Sequence, residues 1–202
     1  MDEDSKCFIK INNSIVIYRN GIENPKKVLN QINTLSELNT EYAWRDSLIY
    51  HGDKTKEKVN SFRSSKQIDF FRSNESNEVN YLSSSIFNVI DRSFSAALRD
   101  YTQRIGIAIK AYEQDRYSTL KYELGDFFSV HLDTSPILSR VISGLVYLND
   151  DYDGGILEFP KIGLELKPKE GDIIFFPSQV PFFHQSTPIT KGIKYAAVAW
   201  WN

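Results

Sequence analysis

The sequence predicts a mainly β protein of the jelly-roll kind, with a double-stranded β-helix core and N-terminal helices packed on one outer face. From Tyr117 onward, short runs of β-branched and aromatic residues alternate with turn residues at nearly even spacing, which is typical of sandwiches and barrels. Before that segment, apolar residues recur at helical spacing in two stretches. We therefore expect a single domain over residues 1–202, with a strand and helix support at 1–110 and a jelly-roll core at 111–202.

Composition excludes several classes of protein. The 24 Lys and Arg against 26 Asp and Glu give a formal charge of −2, so no basic excess favours nucleic acid or an anionic membrane as a partner. The single cysteine, Cys7, excludes a disulfide framework and a zinc site built from several cysteines. The acidic N-terminus leads into no apolar run suited to a secretory signal, and no run elsewhere has the length of a membrane span. The expected location is the cytoplasm.

The N-terminal half is predicted to form one or two strands followed by two helices. Residues 8–18 are β-branched and partly alternating, which indicates strand. Asn24 and Pro25 predict the N-cap and the first turn of a helix. The stretch from Leu38 to Asn77 is polar with turn signals, and no strand is predicted in it. The strongest helical stripe runs from Leu82 to Tyr101.

About eight short strands are predicted in the C-terminal part. They span Tyr117–Leu124, Phe127–Asp133, Val141–Leu148, Ile156–Phe159, Leu164–Lys167, Asp172–Phe176, His184–Thr187 and Tyr195–Trp201. An acidic stretch, Asp150 to Asp153, precedes two glycines but lacks the ordered ligands and the distal Glu of a calcium loop, so it predicts a solvated turn.

Two histidines and one carboxylate form a candidate metal site. His131 and Asp133 lie two residues apart on a predicted strand, so their side chains point to the same face, and His184 lies on a later strand. Such a facial triad is typical of non-haem Fe(II) oxygenases, because it leaves coordination positions open for a co-substrate and dioxygen. The alternative is that His131 is a partly buried strand histidine beside a surface Asp. The third histidine, His51, is predicted to be a solvated loop residue.

Lys194 interrupts an otherwise apolar final strand. A cation there is costly unless it meets an anion, and the carboxylate of an oxo acid bound next to the metal would provide one. The alternative is a lysine on the solvent face of an edge strand. The neighbouring Lys191 precedes Gly192 in a predicted turn and is expected to be solvated.

A longer pattern of residues resembles a known family. In chain order the pattern is Tyr122-x-x-Gly125-x-x-Phe128-x-x-His131-x-Asp133, Arg140, Tyr147-Leu148-Asn149, Gly154-Gly155, Phe159-Pro160, Pro168-x-x-Gly171-Asp172, His184, Pro188-x-x-x-Gly192-x-Lys194 and Trp200. Over about residues 117–201 it is similar to the prolyl 4-hydroxylase branch of the 2-oxoglutarate/Fe(II)-dependent dioxygenases. The resemblance implies that the C-terminal jelly roll is the catalytic core.

The resemblance implies roles for the metal and co-substrate residues. It makes His131, Asp133 and His184 the iron ligands. Lys194 would pair with the distal carboxylate of 2-oxoglutarate, and the Tyr147 hydroxyl would add a directional hydrogen bond.

Further residues would surround this site. Tyr122 would line it near the iron-chelating end of 2-oxoglutarate. Arg140 and Trp200 correspond to positions that often face the substrate, although a surface charge and a core aromatic are the alternatives from the residues alone. The segment from Arg63 to Ser65 is a candidate for a loop over the mouth of the site.

The resemblance also implies a reaction. Fe(II), 2-oxoglutarate and O2 would be required for hydroxylation of a C–H bond with release of succinate and CO2, and ascorbate dependence is a secondary expectation. The expected substrate is a proline in a peptide or protein, with free proline also open. The alternatives are the same chemistry on another amino acid or a nucleobase, and a non-catalytic jelly-roll binding module. An inactive relative would usually lack a ligand or the lysine, and all four residues are present.

Overall fold

The computed structural model describes residues 8–50, 56–57, 60–72, 78–109 and 114–202. Cys7 and His51 lie outside the described residues, so the expectation of a solvated His51 stays a prediction. The helices are α1 (Pro25–Leu38), a short 3-10 helix (Thr40–Tyr42) and α2 (Glu78–Ile105). None of the described helices is long and apolar enough to cross a membrane.

The strands occupy both halves of the chain. They are β1 (Phe8–Lys10), β2 (Val16–Tyr18), β3 (Arg45–Asp46), β4 (Ile49–Tyr50), β5 (Lys56–Glu57), β6 (Lys66–Phe71), β7 (Arg116–Tyr122), β8 (Phe128–His131), β9 (Ile142–Tyr147), β10 (Asp153–Gly154), β11 (Leu157–Phe159), β12 (Leu164–Leu166), β13 (Ile173–Pro177), β14 (His184–Ser186), β15 (Ile189–Lys191) and β16 (Lys194–Trp201).

Most of these strands form two sheets. Among the described residues, the larger sheet has eight strands in the order β1-β2-β13-β9-β16-β7-β6-β3, and the smaller has four in the order β12-β11-β14-β8. The described strand pairs of both sheets are antiparallel. The prediction of a mainly β fold is confirmed.

The N-terminal segment completes the larger sheet. β1 and β2 extend it beyond β13, and β6 and β3 extend it beyond β7. The strand β6 lies in the polar stretch where no strand is predicted, and its register with β7 runs from Lys66 opposite Lys121 to Phe71 opposite Arg116. Ile68 and Phe70 alternate along β6 and are buried in the core, while the pairing with β7 supplies the backbone hydrogen bonds.

Several predicted boundaries move in the structure. The strand predicted to reach Asp133 ends at His131, and the one predicted to reach Leu124 ends at Tyr122. Asn24 is the N-cap of α1, with Pro25 as the next residue, but it is in the left-handed region with φ 49° and its side chain makes no capping hydrogen bond. The acidic turn at Asp150 to Asp153 is exposed except for Tyr152, in agreement with a solvated loop.

The larger sheet has a different apolar cluster on each face. The outer cluster joins the sheet to both helices through Val28, Ile32, Ile86, Phe87, Ile90, Phe94, Leu98, Tyr101, Tyr117, Val146, Phe175, Ala197 and Trp201. The inner cluster joins the two sheets through Ile17, Tyr147, Leu157, Phe159, Leu166, Ile174, Phe176 and Ala196. Successive strand residues alternate between the two faces, so each strand contributes to both clusters.

Phe94 is the central aromatic contact between α2 and the sheet. It is fully buried, and its ring lies 5.3 Å from that of Trp201 and 5.5 Å from that of Tyr117. A Phe94→Ala variant should lose about 3–5 kcal/mol of unfolding free energy because it leaves a cavity among these rings. Tyr81→Ala on the same helix removes a side chain that is 76% exposed and should change stability by less than about 0.5 kcal/mol in chemical denaturation. Equal losses in the two variants would contradict this packing.

Candidate metal centre

Three sequence-predicted ligands converge where β8 and β14 pair. His131 ends β8, His184 begins β14, and the two lie opposite each other in the small sheet. Asp133 follows two residues after the end of β8, and its carboxylate oxygens lie 3.6 Å from His131 Nε2 and 3.4 Å from His184 Nε2. One potential ligand atom from each residue falls within 4.8 Å of the other two. The structure therefore brings the three side chains to one point.

Both imidazoles are oriented with Nε2 toward that point. His131 Nδ1 lies 2.8 Å from the Ser129 carbonyl oxygen, and His184 Nδ1 lies 3.1 Å from the Phe182 carbonyl oxygen. A carbonyl only accepts a hydrogen bond, so each Nδ1 carries the proton and each Nε2 presents a lone pair. This arrangement is the one that a metal-ligating histidine needs.

The charges of the cluster also suit a divalent cation. Burial alone would raise the pKa of Asp133, but the two imidazoles and the Ser143 hydroxyl outweigh it and hold that pKa well below its ordinary value. Burial, helped by His131, lowers the pKa of His184 to about 4. At neutral pH, Asp133 is therefore a carboxylate and His184 a neutral imidazole, which are the protonation states of metal ligands.

Hydrogen bonds hold Asp133 at both its side chain and its main chain. The Ser143 Oγ donates to Asp133 Oδ2 at 2.6 Å and lies 2.8 Å from the Ser178 Oγ. The Arg140 Nη1 donates to the Asp133 carbonyl oxygen at 3.1 Å. The Arg140 guanidinium also lies 3.7 Å from the ring centroid of Trp200.

Aromatic rings enclose the two histidines. Phe128 is stacked on His131 with the ring centroids 3.7 Å apart, and Phe176 meets His184 edge-on at 4.7 Å. These rings pack on the imidazoles and restrict their rotation.

Lys194 lies in a buried pocket beside this cluster. Its side chain is 3% exposed, so the alternative of a solvent-facing lysine is wrong. Its Nζ donates to the Gly155 carbonyl oxygen at 2.9 Å and to the Ser186 Oγ at 2.8 Å, both neutral acceptors. No described carboxylate pairs with it, and burial lowers the pKa of Lys194 to about 7. This cation is therefore available to an anionic ligand.

Two tyrosines complete the lysine pocket. The Lys194 Nζ lies 5.0 Å from the ring centroid of Tyr122 and 5.4 Å from that of Tyr147. Burial raises the pKa of both phenols, so they stay protonated and can donate hydrogen bonds. Gly154 precedes Gly155, whose carbonyl oxygen accepts from Lys194. Gly154 has φ 75°, and an added Cβ would lie 2.1 Å from the Pro188 carbonyl oxygen, so only glycine fits there.

An open cavity of about 640 Å³ leads to the metal cluster. Its lining includes His131, Asp133, Arg140 and Trp200, together with residues of β3 and β6. Lys194, Tyr122 and Tyr147 are not among its lining residues. The Trp200 Nε1 is buried without a described hydrogen-bond partner.

For Arg63, the sequence predicted only that the segment from Arg63 to Ser65 is a candidate loop over the mouth of the site. It did not identify Ser143 or Ser178. Arg63 forms a β-bridge with Phe128, lines the cavity and is buried, with its guanidinium 4.5 Å from the Phe128 ring centroid. Its Nε donates to the Ser65 Oγ at 2.8 Å. For Ser143, the available signal was a hydroxyl inside the apolar strand β9, the same kind of signal that identified Lys194.

The cluster and the C-terminal part of the chain are similar to a known family of proteins. Two histidines and one carboxylate, held between antiparallel sheets beside an open cavity, are the donor set of non-haem Fe(II) oxygenases. Residues 117–202 match the family model described as the 2OG-Fe(II) oxygenase superfamily. The match confirms the resemblance found in the sequence.

Named relatives agree with this match. The chain is 29% identical to prolyl 4-hydroxylase 13 of Arabidopsis thaliana over 142 residues, which cover 54% of the chain and 52% of that relative. It is 33% identical to probable prolyl 4-hydroxylase 9 of the same plant over 115 residues, covering 43% of the chain and 40% of the relative. The chain thus matches about half the length of these relatives or less.

Solved structures support the fold. A prolyl hydroxylase from Trichoplax adhaerens, in complex with a hypoxia inducible factor oxygen degradation domain peptide fragment, aligns with a TM-score of 0.67 and 18% identity over 98% of this chain and 84% of its own. The viral collagen prolyl hydroxylase of Paramecium Bursaria Chlorella virus-1 aligns with a TM-score of 0.59 and 18% identity, covering 98% and 97% of the two chains.

The buried ammonium of Lys194 should make stability depend on pH. Its pKa is about 7 in the folded protein against an ordinary value of 10.5, so between these values the unfolded chain binds one more proton. The free energy of unfolding should therefore rise with pH across that window. A Lys194→Met variant should be about 1–3 kcal/mol more stable than wild type near pH 6, with the difference shrinking as the pH rises.

Denaturant titrations at several pH values measure this effect. Lys191→Met is the matched control, because Lys191 is exposed, and its stability should follow that of wild type at every pH. A destabilised Lys194→Met variant near pH 6 would show that the ammonium is not an uncompensated charge.

Proposed function

We propose that this protein is an Fe(II)- and 2-oxoglutarate-dependent dioxygenase that hydroxylates a C–H bond, with 4-hydroxylation of a prolyl residue in a peptide or protein as its preferred reaction. The observation that carries the proposal is the convergence of His131, Asp133 and His184 beside the buried pocket of Lys194, in which the described partners of the ammonium are neutral. The family match of residues 117–202 supports the same chemistry.

The donor set fits Fe(II). Imidazole nitrogen and carboxylate oxygen are borderline to hard ligands, and the described cluster offers no thiolate that would favour a softer ion. His131 and His184 would bind through Nε2 and Asp133 through its carboxylate. Iron, 2-oxoglutarate and dioxygen, when bound, supply the oxidising chemistry, in which the oxo acid becomes succinate and CO2 while a substrate C–H bond becomes C–OH.

The lysine pocket supplies what a dicarboxylate needs at its distal end. Lys194 contributes a positive charge that lacks a described anionic partner, and Tyr147 contributes a protonated phenol. A carboxylate placed there would compensate the buried ammonium and so raise the pKa of Lys194. Tyr122, on the neighbouring strand, would border the end of the co-substrate nearest the metal.

The open cavity favours a peptide over a free amino acid. Its volume of about 640 Å³ and its walls from the N-terminal segment, β6 and the loop after β8 provide an extended surface next to the metal ligands. Arg140 and Trp200 lie in this wall and would contact the substrate. The curated relatives named as prolyl 4-hydroxylases support proline as the modified residue.

Turnover tests the proposal. Purified protein with Fe(II), 2-oxoglutarate and a pool of proline-containing peptides should form succinate and add a single oxygen to prolyl residues. Asp133→Ala should lower the rate by at least about 100-fold because an iron ligand is lost. Succinate is quantified by chromatography and the modified residue is identified by mass spectrometry.

The outcomes separate the parts of the proposal. Absence of both Fe(II)-dependent turnover and 2-oxoglutarate binding in wild type would refute the dioxygenase function. Oxygen addition only at residues other than proline would retain the chemistry and remove the prolyl substrate. Tyr81→Ala serves as the control, because the Tyr81 side chain is exposed on α2, and this variant should show wild-type turnover.

Lys194 should determine co-substrate affinity without affecting the metal. A Lys194→Met variant should bind 2-oxoglutarate about 100-fold more weakly, since it leaves the distal carboxylate buried without its cation. Isothermal titration with Fe(II) and then with 2-oxoglutarate under anaerobic conditions measures both affinities. An unchanged 2-oxoglutarate affinity would remove the role assigned to this lysine, whereas Lys191→Met should bind both ligands as wild type does.

Three further expectations from the sequence stay predictions: ascorbate dependence, a cytoplasmic location, and a single domain over residues 1–202.

A further inference from the structure

A pair of buried serines lies directly behind the metal cluster. Ser143 belongs to β9, whose other residues are apolar or glycine except for Tyr147 at its end, and Ser178 follows the end of β13. Both side chains are completely buried. A hydroxyl in such a place costs stability unless it is hydrogen-bonded, so the direction of its bonds matters.

The direction of the hydrogen bonds follows from the number of protons. The Ser143 Oγ donates to Asp133 Oδ2 at 2.6 Å, and this bond uses the single proton of the Ser143 hydroxyl. Ser143 can then only accept in its 2.8 Å contact with Ser178. The proton order is therefore Ser178 to Ser143 to Asp133, a chain in which each bond polarises the next.

Ser178 also fixes the main chain on both sides of the cluster. Its N–H donates to the Val141 carbonyl oxygen at 2.9 Å, and its own carbonyl accepts the N–H of Thr134 at 3.3 Å. Asp133 lies beyond the last residue of β8, where the strand ladder no longer fixes the backbone. The serine pair and Arg140 replace that ladder around Asp133.

We propose that Ser143 and Ser178 are positioning residues for the metal-binding carboxylate. Ser143 engages Oδ2 and fixes the side-chain rotation of Asp133, and Ser178 orients the Ser143 hydroxyl. The carboxylate is thereby presented to a cation in one orientation, with no serine bond on Oδ1. This inference rests on the proposed metal site and adds to it the two residues that set the geometry of its anionic ligand.

Removal of the hydroxyls tests the chain of bonds. Ser143→Ala should weaken Fe(II) binding about 10–100-fold, the usual effect of losing a hydrogen bond to a metal ligand. Ser178→Ala should have a smaller effect in the same direction, because Ser143 can still donate to Asp133. The double variant should bind Fe(II) as Ser143→Ala does, since Ser178 acts only through Ser143.

Two measurements distinguish positioning from general packing. Anaerobic titration against a competing chelator gives the Fe(II) affinity, and the visible spectrum of the Co(II)-loaded protein reports the ligand geometry. Ser83→Ala is the matched control: Ser83 is buried in α2 and its hydroxyl has no described hydrogen-bond partner. Its affinity and spectrum should equal those of wild type, and Ser143→Thr, which keeps the hydroxyl, should restore both.

Specific results would overturn the proposal. The proposal is wrong if Ser143→Ala keeps the Fe(II) affinity and the Co(II) spectrum of wild type. It is also wrong if the losses of Fe(II) affinity in the two single variants add fully in the double variant. If circular dichroism shows that Ser143→Ala does not fold, the test passes to Ser178→Ala. An unchanged Fe(II) affinity in Ser178→Ala would then overturn the proposal. A wild-type protein that binds no metal would instead refute the proposed function, and the inference with it.

Discussion

The antiparallel pairing of β8 with β14 is the constraint on which the rest of the site depends. It sets His131 opposite His184 and leaves Asp133, just past the end of β8, within reach of both Nε2 atoms. The Nδ1 bonds to backbone carbonyls then fix which nitrogen faces inward. Since both carbonyl groups belong to the same local chain segments as the histidines, forming the pair also orients the ligands.

Burial of charge is the energetic cost of this arrangement. The inner face of the larger sheet buries the ammonium of Lys194, while the carboxylate of Asp133 is buried beside the smaller sheet. Asp133 is compensated by two imidazoles and a hydroxyl, but the described hydrogen-bond partners of Lys194 are neutral oxygens. A buried cation without an anionic partner lowers the stability of the unliganded protein, and binding of an anion restores that stability. Lys194 therefore links the stability of the protein to its affinity for an anionic ligand.

The N-terminal segment contributes to the site as well as to the fold. The outer face of the larger sheet packs on α1 and α2, and its extension through β6 and β3 forms one wall of the cavity. Arg63, from the same segment, packs on Phe128 and so supports the ring that stacks on His131. The cavity wall can therefore vary in this segment without altering the candidate metal ligands, which lie on or just after the strands β8 and β14.

The sequence by itself determined the local features of this protein. Spacing by two placed His131 and Asp133 on one side of the chain, helical periodicity gave most of α2, and an isolated cation marked Lys194. Only the tertiary structure decided which strands are neighbours, and hence β6, the serines behind Asp133 and the place of Arg63. The physical reason is that periodicity records which face of an element is buried, whereas register and hydrogen-bond partners arise between segments distant in the chain.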